Sequence, residues 1–375
     1  MTRTVEPRPQ PDLLRDRWAT LVQAVRAGVP TCRVGVLDGP LPGTCGLVGS
    51  DRQGDMDSAD PLNQALVTVG REALTDGRPR VAESGGRLLF ADPVLPLPGL
   101  IVLGGGHVAK DLAPAALAAG FAVTVVDDRP DFAGPDRFPG AAVSCADPAE
   151  ALSRMNPRPT DFIVIATRSH EGDLAVLRTA LRWPAAYIGM IGSRRKVRTL
   201  KQTLLATGEV TTGALDWVRA PVGLDIGAET PAEIAVAIVA ELIAVRRGGP
   251  CLPLSSAVGA AEAPPRPRPV PTGDRENVRV WLALADALER GEPCALATVV
   301  RVRGSTPRGP GAHMLVRTDG RPLGSVGGGQ REAEVVRMAA RCMKDRQPLL
   351  FNAQYVEEQD ALCGGAADIL IEPVP

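Results

Sequence analysis

The chain has no excess of charge: 42 Lys and Arg stand against 43 Asp and Glu, leaving a formal net charge of −1. Nothing draws it onto a nucleic-acid backbone or an anionic membrane, so neither is expected as a partner. The amino-terminal MTRTVEPRPQPDLLRDRW has no apolar run of the signal-peptide kind. Nor does any stretch approach the roughly 18 apolar residues that cross a bilayer. A soluble, unexported protein is expected. The seven cysteines (Cys32, Cys45, Cys145, Cys251, Cys294, Cys342 and Cys363) are odd in number, scattered and never spaced C-x-x-C. That argues against a disulfide framework and a zinc site, and it suits a reducing cytoplasm.

The 375 residues allow two or three domains of roughly 100 to 200 residues each. One long low-complexity stretch, 248–277 (GGPCLPLSSAVGAAEAPPRPRPVPTGDREN), is rich in Pro, which extends the backbone and buries little; it reads as an interdomain linker. Between 98 and 247, the apolar runs LIVLG, AVTVVDD, DFIVIAT and AAYIGMIG alternate with helical patterns such as KDLAPAALAAG. This alternation predicts parallel strands joined by crossover helices. The two ends of the chain resemble each other. LVQAVRAGVP (Leu21 to Pro30) matches LADALERGEP (Leu284 to Pro293), each an amphipathic helix ending at Gly before a strand-like segment, and LLFADPV at Leu88 to Val94 matches DILIEPV at Asp368 to Val374. One module present twice, at 1–97 and 278–375, is therefore expected to flank the central domain, with chance likeness of two amphipathic helices as the alternative. The fold class is α/β: a Rossmann-like parallel-sheet domain between two smaller α+β modules.

Three groups of residues suggest a site. Gly104-Gly105-Gly106-His107-Val108-Ala109 is a G-x-G-x-x-A pattern between strand and helix. There Gly104 permits the turn, Gly106 lets a phosphate approach, Ala109 allows close helix packing, and the helix N-terminus offers N–H groups to an anion. Asp127 ends the next strand where an acid meets a ribose hydroxyl. His107 either contacts a phosphate or packs in the loop. Arg168 and His170 follow DFIVIA at the strand's carboxyl end, where open α/β sheets bind ligands. Arg194 stands in Ser193-Arg194-Arg195-Lys196 after YIGMIG, either neutralising a phosphate or forming a solvated face. In the last module, Gly327-Gly328-Gly329 feeds a helix as a second anion cradle, with Arg308 in the rigid turn GSTPRGPGA as a cation. Glu332 lies in that helix's first turn, for capping or for ligand or catalytic work. Cys363, beside Gly364 and Gly365, is a candidate sulfur carrier or metal ligand. Cys145, Cys294 and Cys342 better suit buried structural roles.

GGGHVA, VTVVDDRPDFA, TRSHEGD, AAYIGMIGSRRK and PVGLDIGAETPAEIAVAIVAELIAVR resemble the Rossmann part of XdhC proteins. ATVVRVRGSTPRGPGAHMLV, GSVGGGQREAEVV and CGGAADILIEP resemble the family's other, CoxI-like domain. The resemblance implies a maturation factor, an accessory protein or chaperone rather than a turnover enzyme. It would bind molybdenum cofactor of the molybdopterin type, assist its sulfuration with a cysteine desulfurase, and deliver it to a xanthine dehydrogenase-type hydroxylase. A homodimer stays open. The pattern departs from the family in three ways. The intact CoxI-like module follows the Rossmann domain instead of preceding it. The first module is degenerate, lacking the T-P-R turn, the G-G-G-x-x-E loop and the C-G-G loop, and is read as structural. Gln330 stands where many relatives carry Cys, leaving Cys363 as the thiol for catalysis or for the metal. The glycine loop of the last module and the edge of the Rossmann sheet are expected to face each other across a cleft. Two alternatives are an NAD(P)-dependent oxidoreductase and a scaffold that only docks hydroxylase subunits.

Overall fold

The computed structural model describes residues 11–39, 42–49, 56, 59–208, 210–251, 269–304, 306–355 and 365–374. They group into two compact units: Met1–Pro96 together with Gly273–Pro375, and Leu97–Thr272.

In the first module, α1 (Pro11–Ala27) stops at Gly28, whose φ of 64° is left-handed backbone that suits glycine. There follow β1 (Thr31–Val36), β2 (Gly43–Gly49), α2 (Pro61–Asp76), β3 (Arg80–Ser84) and β4 (Arg87–Val94). The strands form an antiparallel sheet in the order β2-β1-β4-β3. Asp60 caps α2 by accepting from the Leu62 amide, Pro61 opens the helix, and Gly77 closes it. Every residue of β1 is buried, because both faces of this sheet are covered. Cys32, Val34 and Val36 join Leu66 and Ala73 of α2 in one core. Side chains alternate along a strand, so Arg33 faces the other way.

The central unit contains β5 (Gly99–Leu103), α3 (His107–Ala118), β6 (Ala122–Asp127), β7 (Ala142–Cys145), α4 (Pro148–Met155), β8 (Phe162–Ile165), α5 (His170–Ala180), β9 (Tyr187–Met190), α6 (Arg194–Ala206), α7 (Thr212–Asp216) and α8 (Pro231–Arg247). Its sheet is wholly parallel, in the order β7-β6-β5-β8-β9. Leu100, Val102, Phe162 and Val164 pack with residues of α3 and α8, while Ile101, Leu103, Ile163 and Ile165 pack with residues of α4, α5 and α6. Helices on both faces explain why these strands are continuous apolar runs instead of alternating ones. The strand order reverses at β5, so the segments leaving β5 and β8 flank the switch point where such sheets bind ligands. A capping box of Thr230 and Glu233 starts α8, and left-handed Gly248 ends it, where the linker was expected to begin.

The last module contains α9 (Arg275–Arg290), β10 (Cys294–Gly304), β11 (His313–Arg317), β12 (Pro322–Gly324), α10 (Gly329–Asp345), β13 (Leu349–Tyr355) and β14 (Gly365–Val374). Most of the Pro-rich stretch lies outside the described residues, and α9, capped by Asp274, begins slightly earlier than the sequence suggested. The sheet order is β12-β11-β10-β14-β13. Apart from β12, this repeats the first module strand for strand, with α10 in the place of α2. The register repeats as well: Thr31 opposes Val94, and Cys294 opposes Val374, at the offset that aligns the two amino-terminal helices.

The two modules share one interior. Trp18, Leu21, Val22, Leu47 and Val94 pack with Val280, Trp281, Leu284, Leu296, Leu315 and Val374, and a smaller cluster joins Leu37 and Phe90 to Val300 and Leu370. Within this interior Arg33 is fully buried. It donates to Asp92 Oδ2 (Nη2, 2.7 Å), to Glu372 Oε2 (Nη1, 2.7 Å) and to Thr298 Oγ1 (2.9 Å). Its guanidinium lies between the Trp18 ring at 5.6 Å and the Trp281 ring at 5.1 Å. Asp92 and Glu372 are equivalent positions of the repeat, the acids of the ADPV and IEPV segments. Burial alone would raise the Asp92 pKa, but the charges and hydrogen bonds of His313 and Arg33 outweigh it and hold the carboxyl well below the usual range.

Candidate functional site

At the edge of the parallel sheet, Gly104 has φ 120°, and a Cβ there would stand 2.2 Å from the Ala166 carbonyl oxygen. A Cβ on Gly105 would stand 2.2 Å from the Phe132 oxygen. These two glycines are required by the close packing of the turn. Gly106 differs: a Cβ there would meet nothing within 4 Å. As the N-cap of α3 it supplies no side-chain acceptor, so the first-turn amides face open space. This fits a phosphate-bearing ligand. His107, the first residue of α3, is exposed.

Asp127 is tied to the loop. It accepts from Gly105 N (2.7 Å), Arg129 N (3.0 Å), Arg129 Nε (2.9 Å) and Arg129 Nη2 (2.9 Å). Burial pushes its pKa up, but the hydrogen bonds from Arg129 and from the Gly105 amide win and lower it to about 2. Arg168 Nη2 donates to Asp128 Oδ2 at 2.8 Å. His170 is exposed at the start of α5, behind the Ser169 cap. Arg194 points into solvent, 87% exposed and 3.8 Å from an equally open Asp225, so the solvated-face reading describes it. Lys196, two residues on, is held against an acid of α5. Its Nζ is 2.5 Å from Asp173 Oδ2, and Thr167 Oγ1 donates to Asp173 Oδ1 at 2.6 Å. Asp173 is fully buried. The signal was present in the acid of α5's first turn, three residues after His170, but nothing local in the sequence paired it with Lys196.

The second place is one end of the last sheet. Gly304 and Gly365 are cross-strand partners, so the turn leaving β10 and the C-G-G loop entering β14 meet the sheet side by side. β12 runs in the same direction as β10, so the segment leading to the glycine loop leaves from the same end. The described ends of β10 and β12 and the start of β14 thus lie at one end of this sheet. Gly328 is the N-cap of α10, with φ 74°, no side-chain cap and open space where a Cβ would stand. Gly327 and Gly329 flank it. Glu332 folds back onto the loop: its Oε1 accepts from Ser325 Oγ (2.5 Å) and Gly328 N (3.0 Å). Arg308 Nη1 is paired with Glu276 Oε2 at 2.7 Å. Arg301 and Arg303, which the sequence did not single out, both donate to the buried Asp368. A bulge between Val299 and Arg301 re-registers β10 just before them. Cys363 lies outside the described residues.

The thiols sort by environment. Burial raises the pKa of Cys294 to about 11 and of Cys342 to about 12, as suits structural cysteines. Cys145 does not join them. It ends β7, an edge strand of the sheet, and is exposed. Among the described residues no group of three or more His, Cys, Asp or Glu is arranged to hold a metal ion. No helix among them is long and apolar enough to cross a membrane.

Comparison with known proteins matches residues 100–242 to the XdhC Rossmann domain and residues 287–352 to the XdhC and CoxI family. The uncharacterized protein YqeB of Escherichia coli is 30% identical over 218 residues, covering 57% of this chain and 40% of YqeB. A Bacillus subtilis protein named as a probable subunit of xanthine dehydrogenase is 34% identical over 160 residues, 42% of this chain and 46% of the relative. The chain therefore spans less than half the length of either curated relative. A crystal structure named as a xanthine dehydrogenase from Bacillus halodurans is 27% identical, with a TM-score of 0.48 over 60% of this chain and 62% of that one.

Proposed function

Because the chain belongs to the XdhC and CoxI family, we propose that it is an accessory protein of a xanthine dehydrogenase-type molybdenum hydroxylase, holding the phosphate-bearing pterin cofactor and passing it to the apo-hydroxylase. The observation that carries this reading is Gly328 at the start of α10, with no side chain of its own to cap the first-turn amides and open space where a Cβ would stand, at the sheet end where β10 and β12 finish and β14 begins. A helix N-terminus offers unpaired amides and positive dipole to phosphate oxygens, and a glycine lets them come close. Glu332 shapes that cradle by holding Ser325 and the Gly328 amide. Arg301 and Arg303, anchored on Asp368, place positive charge at the same end of the sheet. The molybdenum centre, when bound, supplies the metal whose oxo ligand is exchanged for sulfur. In this reading Cys363 is the thiol that carries or meets that sulfur, delivered by a cysteine desulfurase, because a thiolate is both nucleophile and soft ligand.

The test is purification from cells grown with molybdate, followed by release and oxidation of any pterin and measurement of its fluorescence. A stoichiometric signal supports the reading. Absence of pterin, with the hydroxylase still activated by the chain, would instead favour a docking scaffold. Cys363→Ser checks the thiol separately: unchanged cofactor retention and unchanged activation would remove its role. A second reading, an NAD(P)-dependent oxidoreductase, is favoured by the open face of Gly106 but leaves the loops of the last module without work.

A further inference from the structure

In an open α/β sheet the acid presented to a ribose diol stands at the end of the second strand, here Asp127. A carboxylate has about four acceptor positions. Hydrogen bonds from Gly105 N and from Arg129 N, Nε and Nη2 all reach Asp127, and it is 3% exposed. No face is left for a pair of hydroxyls. Asp128, the next residue, is accessible, but its Oδ2 already accepts from Arg168, and Arg129 Nε stands 4.0 Å from its Oδ1.

The balance at this edge is a surplus of N–H donors. Arg168 is 58% exposed and gives one described hydrogen bond, to Asp128. Arg129 is held from behind, its guanidinium 3.6 Å from the centre of the Phe132 ring. Arg137 lies 5.1 Å from the same ring and donates to the Gly105 oxygen at 3.2 Å. A ribose diol needs an acid with free lone pairs; Asp127 has none to spare, and Asp128 stands between two guanidinium groups. A phosphate monoester brings only acceptors and negative charge, which suit guanidinium forks. The Arg168–Asp128 contact is an exposed ion pair of the kind that contributes little, so a dianion readily takes the place of the carboxylate.

We propose that the carboxyl end of β6 is a phosphomonoester subsite, with Arg168 and Arg129 as its ligating residues and Asp128 as the resident counter-anion that the phosphate displaces. The class of ligand it selects is a nucleotide phosphorylated on its ribose, in preference to one with a free diol. This concerns the central unit alone and does not depend on pterin binding by the last module.

NADP+ and NAD+ differ only in the 2′-phosphate, so calorimetric titration of the full chain with each tests the subsite directly. The expected result is NADP+ bound at least about tenfold more tightly, the scale of one or two charge-assisted hydrogen bonds. Arg168→Ala should erase that preference by weakening NADP+, with the melting temperature unchanged. Added inorganic phosphate, set against chloride at matched ionic strength, should weaken NADP+ more than NAD+, which separates a phosphate subsite from general charge screening. Equal or tighter binding of NAD+, a preference that survives Arg168→Ala, or binding of neither nucleotide overturns the proposal. Tighter NAD+ that is lost in Asp128→Ala assigns the diol to Asp128 instead. Pterin fluorescence of the same preparations is a separate readout, so failure here and failure of the cofactor reading are told apart.

Discussion

Arg33→Leu tests how the two outer modules are joined. The equivalent position of the repeat is Leu296, so the substitution makes the two modules alike at this buried strand position. It removes the hydrogen bonds to Asp92, Glu372 and Thr298 and leaves two carboxylates in the shared interior without their cation. Losing one partner of a buried ion pair costs about 3–5 kcal/mol. The new leucine, packed between Trp18 and Trp281, returns about 1–2 kcal/mol of apolar burial. A net loss of roughly 1–4 kcal/mol remains, which in a unit of this size lowers the melting temperature by about 2–16 °C. Tryptophan fluorescence during urea unfolding is the assay, since Trp18 and Trp281 flank the substituted residue. The pH dependence gives a second handle. Arg33 helps to hold the Asp92 carboxyl below its unfolded pKa of about 3.9, so the stability lost with Arg33 is full above about pH 5 and shrinks as pH falls below about 4. Combining the substitution with Asp92→Asn and Glu372→Gln should recover at least half of the loss. A variant within about 1 kcal/mol of the parent, or one destabilised as much at about pH 3 as at about pH 7, refutes the argument.

Three further predictions address the central unit and the thiols. Gly104→Ala should destabilise the protein by more than about 2 kcal/mol, because φ 120° and a 2.2 Å approach to the Ala166 oxygen forbid a side chain; Gly106→Ala should leave stability within about 1 kcal/mol and weaken only anion binding, as read by melting temperature beside nucleotide titration. Asp127→Asn should lose about 1–2 kcal/mol at neutral pH. Its folded pKa near 2 lies below an unfolded value of about 3.9, so the contribution is complete above about pH 5 and disappears as pH falls through 2; urea midpoints for parent and variant should converge there. A thiol reagent at pH 8 should label Cys145 and Cys251 in the folded protein and leave Cys32, Cys294 and Cys342 unreacted until denaturant is added, as mass mapping of labelled peptides would show.

The parallel sheet was legible in the sequence because its strands are buried on both faces and so read as unbroken apolar runs between helices. The repeat was legible from two short blocks, since Gly28 and Gly291 end matching helices and the same offset carries into the strands. The polar contacts were not. Asp127 looked free to meet a ribose because its partner Arg129 engages it through a local turn that leaves no mark in the G-x-G-x-x-A pattern. Lys196 was hidden because helical geometry separates it from Arg194, two residues earlier, and only the fold brings Asp173 beneath it. Arg33 gave no signal at all: one charge within a short strand is usually read as solvent-facing, and its partners Asp92 and Glu372 lie 59 and 339 residues away.

Arg33 also bears on why the first module is present although it lacks all three loop motifs. The last module cannot bury its own second sheet face. Trp281, Leu284, Leu296 and Leu315 are covered by Trp18, Leu21 and Val22, and Glu372 is neutralised by Arg33. Where the C-G-G loop joins β13 to β14, the first module has only Gly85-Gly86 between β3 and β4, a hairpin with no room for chemistry. One copy therefore supplies packing and countercharge, and the other is free to carry glycines, exposed arginines and open helix ends, features that weaken a fold standing alone. The division of labour is physical: strain and open charge at one end of the last sheet are tolerated because its opposite face is closed by a second copy of the same architecture.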